Sequence, residues 1–175
     1  KMNNTNLILK DVFALAVQNH KKKNFKNAEK LYNQILSKKP NHFESIFYLG
    51  SLLLQVKNFI GAKQLFEKAI KILPTYAASY HYLGQILQEL GDNHKAVHYF
   101  QKAIAIQPNL VAAHNNLGLI QIELGKKDEA MRSFQKAIKI KPNLKEAHNN
   151  LGTVCMAMKK HKTAIKCFKK AIQIN

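Results

Sequence analysis

Apolar positions along this chain fall into two alternating helical patterns, and the pair begins again every 34 residues. Ile46, Leu49, Gly50 and Leu53 stand at i, i+3, i+4 and i+7, on one face of a helix; Ala62, Leu65, Phe66, Ala69 and Ile70 follow the same spacing shortly afterwards. Pro40, Pro74, Pro108 and Pro142 mark the period. A proline lacks a backbone donor and disfavours helix in the residue before it, so helices are predicted to end near Lys39, Leu73, Gln107 and Lys141. Gly91-Asp92 and Gly125-Lys126 predict the short turns that fold a second helix back on its first.

The columns hold through five copies. Leu15, Leu49, Leu83, Leu117 and Leu151 are each followed by a small residue, Ala16 or Gly50, Gly84, Gly118 and Gly152, where a partner helix can approach closely. Ala28, Ala62, Ala96, Ala130 and Ala164 precede an aromatic column of Tyr32, Phe66, Phe100, Phe134 and Phe168, and Ala69, Ala103, Ala137 and Ala171 come after it. This order strongly resembles the tetratricopeptide repeat family, in units 9–42, 43–76, 77–110, 111–144 and 145–175, with residues 1–8 an extension or an expression remnant. The resemblance implies an all-α fold, a right-handed α-superhelix (solenoid) of about five helix pairs whose first helices line a concave groove. The first unit departs from the pattern at Ala16 and at Ile35, where later units have alanine.

Opposite the apolar face of each first helix lie Glu44, Tyr48, Ser51 and Gln55; then Ala78, Tyr82, Gln85 and Glu89; then Ala112, Asn116, Leu119 and Glu123; then Glu146, Asn150, Thr153 and Ala157. Phe47, His81, Asn115 and Asn149 flank that direction. An asparagine amide both donates and accepts, so it can bond the main chain of an extended peptide without reading its side chains, and tyrosine adds stacking area with a polar tip. Tyr48, Tyr82, Gln85, Asn115, Asn116, Asn149 and Asn150 are the candidate peptide-binding residues; the alternative is that they are simply solvated groove polarity. The Asn-Asn-Leu-Gly of units four and five is similar to the repeat arm of O-GlcNAc-transferase-like enzymes, which by resemblance favours Asn116 and Asn150. A carboxylate clamp is disfavoured, because glutamates occupy the groove direction and only the first unit adds Lys10 and Lys21.

Composition narrows the chemistry. Only 7 glycines and 4 prolines in 175 residues, 46% of them hydrophobic, argue against a turn-dense β fold. Cys155 and Cys167 are too few for a disulfide scaffold and read as packed thiols in a cytoplasmic protein. No apolar run is long enough to span a membrane. The net charge of +18 raises nucleic acid as a partner, yet Arg132 is the lone arginine and a lysine-rich bias accounts for much of the excess. Lys159, Lys162, Lys166 and Lys169 or Lys170 are expected on an outward, convex stripe opposite Ile165, Phe168 and Ile172; Lys21, Lys22, Lys23, Lys26 and Lys30 form a comparable cluster. His94 and His98 lack a third metal ligand, while His114, His148 and Cys155 fall in packing columns. No cofactor, metal site or catalytic constellation is expected.

The leading expectation is therefore a non-catalytic protein-protein interaction scaffold that holds an extended peptide in its groove. A second is the substrate-recruiting arm of a larger transferase, of glycosyltransferase or sulfotransferase type, and a third is lysine-driven nucleic-acid binding. Phe168, Ala171 and Ile172 are expected to be partly uncovered, which makes self-association through the C-terminal edge of a fragment a further expectation.

Overall fold

A computed structural model describes residues 4–174, which form ten α-helices and, among the described residues, no strand. They are α1 (Asn4–Lys21), α2 (Phe25–Lys38), α3 (Phe43–Gln55), α4 (Phe59–Ile72), α5 (Ala77–Glu89), α6 (Asn93–Ile106), α7 (Val111–Glu123), α8 (Lys127–Ile140), α9 (Lys145–Ala157) and α10 (His161–Gln173). The helices form two compact units that meet in sequence between Ile86 and Leu87, within α5.

In the first unit α2 packs on α1 and α3, and α4 on α3. Ala16, Ala28, Tyr32, Leu49 and Leu52 form a buried cluster, with Phe13, Val17, Phe25, Leu53 and Leu65 closing its sides. Ile35, the departure from the alanine column, is fully buried with Tyr32. In the second unit α7 packs against α6 and α8, and α9 against α8 and α10. Its core joins Ala130, Phe134, Leu151, Val154, Cys155, Ala164 and Cys167. Gly118 shows why a small residue follows each leucine, since a Cβ built there would sit 2.6 Å from the Phe134 ring.

The second helices stop where the prolines require. Lys39, Leu73, Gln107 and Lys141 are the C-cap residues, and each donates its backbone N–H to the carbonyl of Ile35, Ala69, Ala103 or Ala137. At the turn inside each pair, one residue takes the left-handed region: Gly91 (φ 81°) and Gly125 (φ 74°) as expected, but also Lys23 (φ 60°), Lys57 (φ 61°) and Lys159 (φ 58°). These five positions share the 34-residue register, so the turn geometry persists where glycine does not.

Two expectations need correction. Ala171 is only 1% exposed, because the alanine column is covered within its own pair; Phe168 is half-buried, and Ile172, 78% exposed, is the uncovered residue. The lysines of α10 also do not oppose Ile165. Lys162, Lys166, Lys169 and Lys170 line a hollow of about 600 Å³ together with Ile165, Ile138 and Leu151. Steps of three and four residues from Lys162 pass through Ile165 to Lys166 and Lys169, so the isoleucine belongs to the lysine face.

Candidate functional site

The first unit carries the aromatic part of the expected groove. Tyr48 is 38% exposed and its ring meets Phe13 edge-on at 5.7 Å and stacks on Tyr32 at 6.3 Å. Tyr82 is half-buried, stacked on Phe66 at 5.2 Å and edge-on to Phe47 at 5.6 Å, and burial raises its phenol above the usual range. Gln85 is half-buried. Phe47 and His81, expected to flank the groove, are buried instead, and burial pushes the His81 imidazole down to about 4.

Between α1 and α3 the first unit encloses a hollow of about 280 Å³, lined by Val17, His20, Lys21, Lys23, Tyr48, Ser51 and Gln55. Tyr48, Ser51 and Gln55 follow from the groove direction; His20 does not. It extends the apolar face of Phe13 and Val17 by one more helical step, which is the signal that would have placed it inside. His20 is 9% exposed, with Nε2 3.1 Å from Gln55 Nε2 and Nδ1 3.4 Å from the Tyr32 hydroxyl. The amide nitrogen can only donate, so Nε2 of the imidazole accepts and Nδ1 holds the proton. Burial keeps His20 below the usual histidine range, in agreement with that neutral form. A smaller hollow of about 220 Å³ is lined by Leu9, Lys10, Phe13, Lys39, His42 and Glu44. There His42 caps α3 by accepting from the Ser45 N–H at 3.2 Å.

The second unit carries the amide part. Asn150 Nδ2 donates to Asn115 Oδ1 at 3.3 Å, joining α9 to α7. One donation uses one proton of Asn150 and one lone pair of Asn115, leaving the pair with further donors and acceptors. Asn149 is exposed, and Asn116 is half-buried with an interaction of its own. Nearby, Glu123 accepts from Gln88 Nε2 at 2.9 Å and from Asn93 Nδ2 at 3.1 Å, a junction that the sequence pattern gave only as a glutamate facing the groove. Cys155 and Cys167 are buried, and burial raises both thiols, so neither is poised as a thiolate. Among the described residues no three histidine, cysteine, aspartate or glutamate side chains gather as a metal site. Nor is any helix long and apolar enough to cross a membrane.

Tetratricopeptide repeat models match residues 42–109, 75–143 and 146–175. No curated protein sequence matches the chain significantly. Among solved structures, MamA superposes with a TM-score of 0.82 at 26% identity, over 90% of this chain and 92% of that one. YrrB, described as a tetratricopeptide protein with an unusual peptide-binding site, gives 0.74 at 22% identity, over 94% and 84%. The pilF protein of Pseudomonas aeruginosa gives 0.89 at 15% identity, over 99% and 79%. The fold is thus the all-α solenoid of five helix pairs that the family resemblance implied.

Proposed function

The chain belongs to the tetratricopeptide repeat family, and from that premise we propose that it is a non-catalytic scaffold binding an extended peptide against its first helices. The observation that carries this reading is the Asn115 and Asn150 pair. Two amides from successive first helices, bonded to each other, are held in place and still offer donors and acceptors to a passing main chain. Exposed Asn149 widens the same polar surface. YrrB, similar in fold and described as having an unusual peptide-binding site, supports peptide binding as a use of this fold. Residues 9–175 form the repeat domain in this reading, and a cytoplasmic setting suits its two free buried thiols.

The test starts from peptides selected on the chain from a random displayed library. Changing Asn115 and Asn150 together to alanine is expected to weaken a selected peptide by about 1 to 3 kcal/mol, roughly 5- to 150-fold, with little change in thermal stability. Undiminished affinity in the double variant would return these amides to ordinary groove polarity.

A further inference from the structure

The hollow between α1 and α3 has a composition that the peptide-binding reading does not use. Its inner wall is His20, fixed by Gln55 and Tyr32, and Val17. Its remaining lining is two cations, Lys21 and Lys23, and two hydroxyl groups, those of Tyr48 and Ser51. Among the described residues neither lysine has a carboxylate partner, and neither hydroxyl has a hydrogen-bond partner. Lys21 closes the last turn of α1, and Lys23 is held in the turn by its N–H bond to the His20 carbonyl at 2.9 Å. The positive charge is therefore tied to backbone whose position is set by the fold.

We propose that this hollow is an oxyanion subsite, in which Lys21, Lys23 and the hydroxyls of Tyr48 and Ser51 receive a carboxylate or phosphate carried on a peptide side chain. Size selects the ligand class. About 280 Å³ is below the range of cofactor-sized pockets, about 300 to 1,000 Å³, and suits a single side chain. Chemistry selects the charge: ammonium and hydroxyl protons all point to an acceptor-rich group, and the lining contains no carboxylate to hold a cation. The exposed Tyr48 ring and Val17 give an apolar wall for the methylene stem of such a side chain. The inference rests on the peptide-binding reading only for the molecule that bears the oxyanion. The subsite lies wholly in the first unit and shares no residue with the asparagine pair, which belongs to the second.

Small probes separate the two. The 15N-labelled chain is titrated with the N-methylamides of N-acetylglutamate and N-acetylphosphoserine, and with that of N-acetylglutamine as the neutral control. Saturable shifts of the Gln55 side-chain amide and the Ser51 N–H are expected with the anions and not with glutamine. The stronger of the two anions identifies the source as a carboxylate or a phosphate. Lys21→Gln with Lys23→Gln is expected to weaken the response at least tenfold, whereas Lys162→Gln with Lys166→Gln leaves it unchanged. Both pairs are on exposed lysines, and circular dichroism checks that the helices persist. Equal shifts with the glutamine probe, insensitivity to the first pair, or a stronger response to N-acetylglycine, which presents a chain-terminal carboxylate, would each overturn the proposal. Because the probes are too short to need the asparagine pair, failure of the peptide test leaves this result readable.

Discussion

Nε2 of His148 lies 2.8 Å from the carbonyl oxygen of Pro142, and His114 stands 2.9 Å from the Pro108 carbonyl one repeat earlier. A carbonyl only accepts, so each imidazole donates from Nε2 and ties the turn before a first helix to that helix. Position 46 of the same column is isoleucine, and there Lys68 Nζ donates to the Pro40 carbonyl at 2.6 Å instead. Different side chains thus satisfy the proline's own carbonyl at the turn in different repeats.

His148→Phe should keep the packed volume while removing the donor. A loss of about 0.5 to 1.5 kcal/mol is expected in urea unfolding, the net worth of one intramolecular hydrogen bond. An unchanged midpoint would mean that water takes over the Pro142 carbonyl.

The left-handed turn positions differ only in side chain. Nothing lies within 4 Å of a Cβ built at Gly91 or Gly125, so any penalty there is conformational. Gly125→Ala is expected to cost about 1 kcal/mol, and Lys159→Gly to gain some tenths of that. Thermal unfolding of the two variants should move in opposite directions.

The close approach at Gly118 predicts an order among substitutions. A Cβ there meets the fully buried Phe134 ring at 2.6 Å, whereas at Gly50 it meets Phe66 at 3.2 Å. Alanine gains about 1 kcal/mol in helix propensity at both sites, against an overpacking cost of about 1 to 3 kcal/mol at the tighter one. Gly118→Ala should therefore destabilise and Gly50→Ala lie near neutral, with calorimetry of both variants as the check.

Acid should weaken the first unit. Burial holds the His81 imidazole down at about 4, below the ordinary histidine value of 6.5, and lowers His20 for the same reason. The unfolded chain then binds more protons between those values, so stability falls as pH drops from 6.5 towards 4. For His81 the full effect is on the order of 3 kcal/mol. His81→Asn, the residue of the same column at position 115, should flatten the dependence of the urea midpoint on pH over that interval. A slope equal to that of the parent chain would assign the acid sensitivity elsewhere.

What was legible in the sequence is what repeats. Pro40 and its successors gave the helix ends because the rule acts locally, on the residue before each proline. The aromatic column gave buried Tyr32, Phe66, Phe100 and Phe134 because each copy meets the same neighbour. Features set by one copy alone were harder to read. His20 has no counterpart in the other units, and its role depends on Gln55, 35 residues away. Lys23, Lys57 and Lys159 occupy a turn position that their residue type does not announce. On α10 apolar character is a poor guide to the packed face: Ile165 is exposed among the lysines, where its helical angle puts it.

The central claim is that a peptide lies on the first helices, and photo-cross-linking reads this directly. A library-selected peptide carrying a photoreactive residue at successive positions is bound to the chain, irradiated, and the adducts mapped by mass spectrometry. Adducts within α7 and α9, concentrated from Asn115 to Thr153 on those two helices, are the expected result. Adducts confined to α8 and α10, above all on Lys162 to Lys170, would contradict the account and place recognition on the lysine face.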